Sequence, residues 1–233
     1  LVRRCADDYQ FHALFTALHN FCAVDLSAFY FDVRKDALYC DRPDSLRRRA
    51  ARSVFDQVFN CLTAWLAPTL CFTAEEAWQH RHKQQAESVH LRLFPELPVG
   101  WRNEALAQKW DKIRDLRRVV TGALELARAD KKIGASLQAH PQVHAAAEYA
   151  AALAGIDLAE IAITSAVDLL PAPAPAGAFT LPDVPDVGVV VALAEGEKCQ
   201  RCWRVLPEVG HHAEHPGLCD RCADAVGNLV AAE

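Results

Sequence analysis

Through its first 134 positions the chain repeats apolar residues at helical spacing, and after that it stops doing so. Phe11, Leu14, Phe15, Leu18, Phe21 and Cys22 follow the i, i+3, i+4, i+7 pattern of an amphipathic helix, with Asp7 or Asp8 placed to cap it. A second, short helix is expected after Asp25, carrying Leu26, Phe29, Tyr30 and Val33. Asp44 or Ser45 then precedes a third run. Val54, Val58, Leu62 and Trp65 lie on one side of it, Phe55, Phe59 and Leu66 lie close by, and Pro68 ends it. Thr73-Ala-Glu-Glu76 has the form of a capping box for another helix, and the chain after Glu87 reads as extended through Val89, Leu91 and Leu93. The longest helix is predicted from about Asn103 to Lys132. Its stripe is Leu106, Trp110, Ile113, Leu116, Val120, Leu124 and Ala127, and Gly134 stands as its C-terminal cap.

Residues 135–194 differ in kind. They contain no Lys or Arg. Short β-type runs occur at Leu137–Val143, Ile161–Ala166 and Val187–Leu193, an Ala-rich helix is expected near Ala145–Leu153, and Pro171-Ala-Pro-Ala-Pro175 reads as a loop or linker. The expected fold class is mainly α: a helical bundle over 1–134, a small α/β unit over 135–194, and a cysteine-rich tail over 195–233.

Charge divides at the same place. Residues 1–134 hold 21 Lys and Arg against 17 Asp and Glu, a balance of +4, and residues 135–233 hold 4 against 13, a balance of -9. A polyanion would therefore meet the first part more readily. No uninterrupted apolar run approaches bilayer length, so no membrane partner is expected. The chain has no methionine, which reads as part of a longer polypeptide.

Cys5, Cys22, Cys40, Cys61 and Cys71 sit singly in apolar patterns and read as small buried hydrophobes. The other four cysteines form two pairs, Cys199-x-x-Cys202 and Cys219-x-x-Cys222, with 16 residues between them. Two such pairs supply the four thiolates of a closed tetrahedral zinc site, and the spacing lies in the window for one. Gly196, Pro207, Gly210 and Pro216-Gly217 supply turns around the pairs. Large apolar residues are too few here to build a core, so a metal must replace it; structural zinc supplies on the order of 10–16 kcal/mol in small peptides. His211, His212 and His215 lie between the pairs and can substitute for a cysteine. With four ligands the zinc is expected to be structural. Reduced thiols suit a cytoplasmic protein.

No P-loop, dinucleotide fingerprint or nucleophile elbow occurs, and no catalytic residue is assigned.

Several blocks carry a specific likeness. The stretch from His19 to Tyr39 resembles the opening of the anticodon-binding region of bacterial isoleucyl-tRNA synthetases. Leu66-Ala-Pro68, Thr73-Ala-Glu-Glu-Ala-Trp78, Glu87-Ser-Val-His-Leu91, Ala127 to Leu137, and Gly196-Glu-Lys-Cys-Gln-Arg-Cys-Trp203 follow in the same order. The likeness covers almost the whole chain and is weakest over 138–194. It implies a helical anticodon-binding bundle, a junction unit and a zinc-finger tail of a class I aminoacyl-tRNA synthetase. The His-x-Gly-His and Lys-Met-Ser-Lys-Ser motifs of that family are missing here, so the resemblance implies a part that helps select isoleucine tRNA for ATP-dependent aminoacylation. The catalytic core would lie elsewhere in the polypeptide, and this part alone would be inactive. A cytoplasmic monomer is expected.

Candidate RNA contacts in the tail are Lys198, Arg201, Trp203, Arg204 and Arg221. Trp203 can stack on an unpaired base, cover the zinc sulfurs, or dock the tail; the cations can meet phosphate or offset the charge of a four-thiolate zinc. In the helical part, Arg47, Arg48, Arg49 and Arg52 form a basic helix start. Arg114, Arg117 and Arg118 are expected on one exposed side of the long helix, with Asp111 and Asp115 near them. Two rival functions stand beside this reading. The zinc-finger type also resembles that of formamidopyrimidine-type DNA glycosylases, although Leu1-Val2 does not offer their Pro-Glu start, and a free-standing RNA-binding adaptor is the other.

Overall fold

Helices dominate because the 3.6-residue apolar period does, and the computed structural model, which describes residues 1–82 and 87–230, resolves them into two compact units. One unit comprises 1–38 and 43–101, the other 39–42 and 102–233. The second unit thus takes in the long helix, which composition had grouped with the N-terminal bundle.

The first unit opens with α1 (Val2–Asp7), followed by one continuous helix, α2 (Phe11–Cys40), whose last two residues are counted in the second unit. Asp7 and Asp8 do not cap α2: the chain turns through Tyr9 at φ 57°, and Gln10 occupies the cap position. No second helix starts after Asp25 either. Instead Phe21–Phe31 is wound as a π-helix between two α-helical ends, and the wider turns shift the apolar stripe. Leu14, Leu18, Leu26, Val33, Ala37 and Cys40 are buried, while Phe15 and Phe21 are exposed. By length and composition α2 is apolar enough to cross a bilayer, which a search for an uninterrupted apolar run misses; one such helix is a weak signal.

Helix α3 (Leu46–Leu66) starts where Ser45 accepts a hydrogen bond from the Arg48 backbone N–H. Its fully buried residues are small, Ala51, Cys61, Thr63 and Ala64, which lets neighbouring backbones approach. Cys5, Leu14 and Leu18 form one cluster with Leu62, Trp65 and Leu66. Helix α4 (Cys71–His82) begins ahead of the expected capping box. Inside that stretch, Glu75 accepts hydrogen bonds from the Val89 N–H and the Ser88 hydroxyl, both at 2.8 Å. That carboxylate fixes a 3₁₀ turn at Val89–Leu91, where the sequence reads as extended. Trp78 is buried, donates to the Glu87 carbonyl at 2.9 Å, stacks on Phe59, and carries the Arg92 guanidinium 4.0 Å above its ring. Cys71 is exposed, unlike Cys5, Cys40 and Cys61.

The second unit is built on α5 (Glu104–Ala129), which Asn103 caps by accepting from the Leu106 N–H at 2.9 Å. Ile113, Leu116, Val119, Val120, Ala123, Leu124 and Ala127 are buried; Leu106 is not. Lys131, at φ 59°, ends the helix, so Gly134 is not its cap. Strands β1 (Gln142–Ala145), β2 (Asp168–Leu170), β3 (Phe179–Leu181) and β4 (Val184–Val190) form a sheet in the order β2-β1-β4-β3. β1 runs parallel to β2 and antiparallel to β4. Between β1 and β2 lie α6 (Ala147–Ala152) and α7 (Leu158–Ala162). Ile161–Ala166 is therefore not a strand: Asp157 caps α7 by accepting from the Ala159 N–H, and Ile163 at φ 58° stops it. α5 packs on β3 and β4, and at Gly122 the Phe179 ring comes so close that a Cβ would sit 2.7 Å from it.

The hydrogen bonds from Gln79, Val89 and Ser88 hold the Glu75 carboxyl below its ordinary pKa. Its contribution to stability is present above the ordinary carboxylate range and is lost as pH falls through the lowered value. Urea unfolding between pH 7 and pH 3 should show Glu75→Gln less stable than wild type at neutral pH, with the gap closing in acid. A gap that does not change with pH would contradict this role.

Candidate metal centre and basic surfaces

Cys199 and Cys202 lie on a turn between two short strands, β5 (Glu197–Lys198) and β6 (Val205–Leu206), paired Glu197 to Leu206 and Lys198 to Val205. The turn closes by hydrogen bonds from Trp203 N–H to Cys199 O and from Cys199 N–H to Arg204 O. It requires Trp203 to adopt a positive φ of 67°. Gly196, ahead of the first strand, has φ 106°, and a Cβ there would lie 2.4 Å from the Leu206 carbonyl, so only glycine fits. The second pair sits where the chain enters α8 (Asp220–Val230), and the Gln200 N–H reaches across to the Gly217 carbonyl.

All four sulfurs come together. The Sγ atoms of Cys199, Cys202, Cys219 and Cys222 lie within 4.8 Å of one another and all four residues are buried. Zinc with sulfur at about 2.3 Å in a tetrahedron spaces its sulfurs about 3.8 Å apart. The Cys202–Cys219 separation is 3.7 Å. Among the described residues, Cys40, Val209, Leu206 and Leu218 supply the apolar packing around the sulfurs. Thiols this crowded do not ionise together. Hydrogen bonds from Cys219 and then Cys222 push Cys202 down, while Cys219 and Cys222 are pushed up, first by their bonds to Cys202. A cation bound by all four removes that conflict. His211, His212 and His215 lie outside this cluster.

The basic candidates divide by what they touch. Arg201 donates to the backbone carbonyls of Tyr39 and Cys40 and to the Cys222 sulfur at 3.6 Å. Arg204 donates to the Ser165 carbonyl. Arg221 pairs with buried Asp41 at 3.3 Å. These three hold the tail to other parts of its unit. Arg117 donates to the Ile161 carbonyl at 2.9 Å, and Arg118 bridges Asp115 and Asp183 at 3.2 and 2.6 Å. Arg114 and Arg117 are half-buried, so the three long-helix arginines do not line one exposed side. Lys198 and Trp203 are different. The indole is 60% exposed, and the Lys198 ammonium stands 4.8 Å from its ring centre.

Two contributors have no local sequence signal. Cys40 reads as an isolated core cysteine, yet packs with the four-sulfur cluster and donates to the Arg201 carbonyl. Ser165 is fully buried; its hydroxyl donates to Leu137 O and accepts from the Val205 N–H. It ties the sheet to the cysteine hairpin from 40 positions away.

Gly196→Ala should raise the hairpin's energy by more than about 1 kcal/mol. With a colorimetric zinc indicator as competitor, that variant should release metal at a lower indicator concentration than wild type. Equal release would show that the backbone at 196 is not what sets the first cysteine pair.

Comparisons with known proteins agree with this geometry. Residues 1–143 match the model of the anticodon-binding domain of tRNA ligases. Residues 196–225 match the zinc finger found in FPG and IleRS, so a zinc-binding tail with one structural zinc is what the cysteine cluster represents. The isoleucine–tRNA ligase of Ruegeria pomeroyi is 53% identical over 97% of this chain, that of Agrobacterium fabrum 51% over 99%, and that of Bartonella henselae 47% over 98%. The chain spans 23–24% of the length of these relatives. A helical N-terminal stretch that matches one family model over more than half of the sequence places this chain in the anticodon-binding domain family of tRNA ligases.

Proposed function

We propose that the chain is the part of an isoleucine–tRNA ligase that grips the anticodon arm of isoleucine tRNA, for ATP-dependent aminoacylation by a catalytic core carried elsewhere in the same polypeptide. The observation that carries this is identity of about half, over nearly the whole chain, with relatives named as isoleucine–tRNA ligases, joined to a four-sulfur cluster. Within it, Cys199, Cys202, Cys219 and Cys222 are the zinc ligands. The three stretches 1–134, 135–194 and 195–233 act as arm-binding bundle, junction and zinc finger. The protein works in the cytoplasm as a monomer. The glycosylase reading loses its ground, since it accounts for the tail alone and leaves residues 1–143 unexplained.

The zinc acts at a distance from any reaction. Four sulfurs leave it no open position for water, so it fixes shape. What that shape presents is Trp203, an exposed indole on a tight turn with a cation against one face. An unstacked base can lie on the ring while Lys198 meets a phosphate. Arg201, Arg204 and Arg221 contribute by holding the turn in place, and the two negative charges of a four-thiolate zinc give Arg201 a further reason to stay.

Calorimetric titration with isoleucine tRNA and with an anticodon-mutated transcript tests the reading. Tight binding to the first and weak binding to the second is expected, and zinc chelation should abolish the difference. Trp203→Ala should retain zinc and lose about 1–3 kcal/mol of tRNA affinity, the usual worth of one base stack. Equal affinity for both RNAs would refute anticodon selection by this chain.

A further inference from the structure

Helix α3, in the first unit, lines a second basic feature. Arg49, Arg52, Ser53 and Asp56 fall at i, i+3, i+4 and i+7, so they share one side of the helix. With Arg81 of α4 and the rings of Phe55 and Phe59 they line an open cleft of about 600 Å³. Arg81 is held by Asp56 at 3.0 Å. Arg49 and Arg52 are exposed and, among the described residues, pair with no carboxylate. The cleft thus sets three guanidiniums against one carboxylate. Its aromatic part is fixed from behind: Phe55 packs edge-on against Phe31 at 4.7 Å between centroids, and Phe59 stacks on Trp78.

We propose that this cleft holds one unstacked nucleotide of the tRNA, its phosphate on Arg49 and Arg52 and its base against Phe55 and Phe59. The proposal rests on the tRNA-gripping reading and adds a place for it. Each part of the lining answers to one part of that ligand. Unpaired guanidiniums grip a phosphate in a fork, and a half-buried ring offers a stacking face that tolerates any base. A phosphate-only patch for duplex backbone has no use for the aromatic part, and an apolar ligand has none for the arginines. The one carboxylate sits at the Arg81 side, where it steadies the third guanidinium.

R49Q/R52Q in the whole chain tests this against isoleucine tRNA, by filter binding across salt. Losing that one phosphate contact should lower the slope of log affinity against log salt by about 0.7, the worth of a single-strand phosphate contact. R102Q, outside the cleft, should leave the slope unchanged, and helical circular dichroism should match wild type for both. As a second measurement, a 4-thiouridine-substituted transcript should crosslink to the tryptic peptide Ser53–Arg81. If wild type fails to bind tRNA, the tRNA-gripping reading falls, and this proposal with it. If wild type binds but R49Q/R52Q keeps its slope, or crosslinks avoid Ser53–Arg81, the cleft proposal alone is overturned. Loss of polyglutamate binding with tRNA binding intact would overturn it too, assigning the cleft to acidic peptides.

Discussion

Four sulfurs packed within 4.8 Å, in a tail with almost no oily interior, set the terms for everything the C-terminal part of this chain does. Left to themselves the thiols compete for protons, one driven toward the thiolate and two away from it. A tetrahedral dication settles that competition and supplies the cohesion that Val209, Leu206 and Leu218 alone would not. Gly196, with its positive φ and no room for a Cβ, and Trp203, forced into the left-handed region, are what the chain gives up to bring Cys199 and Cys202 to the cluster.

The same constraint decides which cations remain for a partner. Three of the four basic residues of the tail are engaged within their own unit: Arg201 on two backbone carbonyls and a sulfur, Arg204 on Ser165, Arg221 on Asp41. An RNA surface drawn from charge alone would include all of them. The surface proposed here narrows to Lys198 and Trp203, where a cation and an exposed ring lie together. In the helical part the narrowing runs likewise, since Arg117 and Arg118 are taken up by Ile161, Asp115 and Asp183, and Arg49 and Arg52 are left to face solvent.

Much of this was legible in the residues. The cysteine spacing gave the metal site, and the 3.6-residue period gave α3 and α5, the first with Ser45 as one of two cap candidates. What stayed hidden was non-local or conformational. Pattern counting assumes 3.6 residues per turn, so the π-wound middle of α2 moved Phe21 outward and erased the break expected after Asp25. Glu75 lies inside the stretch read as a Thr73–Glu76 capping box, and its partners at Ser88 and Val89, beyond the helix, left no local signal. β-branched Ile161 and Ile163 suggested a strand that the Asp157 cap overrode. Cys40 and Ser165 could not be tied to the cysteine hairpin, since no local signal marks residues that meet across 40 to 160 positions.

X-ray absorption at the zinc edge, on the purified chain, probes the metal centre most directly. Four sulfur scatterers at about 2.3 Å are expected, with no nitrogen shell. A mixed sulfur–nitrogen shell would bring in His211, His212 or His215 and break the four-cysteine assignment. Absence of zinc from a folded chain would remove the metal from the structure's foundation altogether.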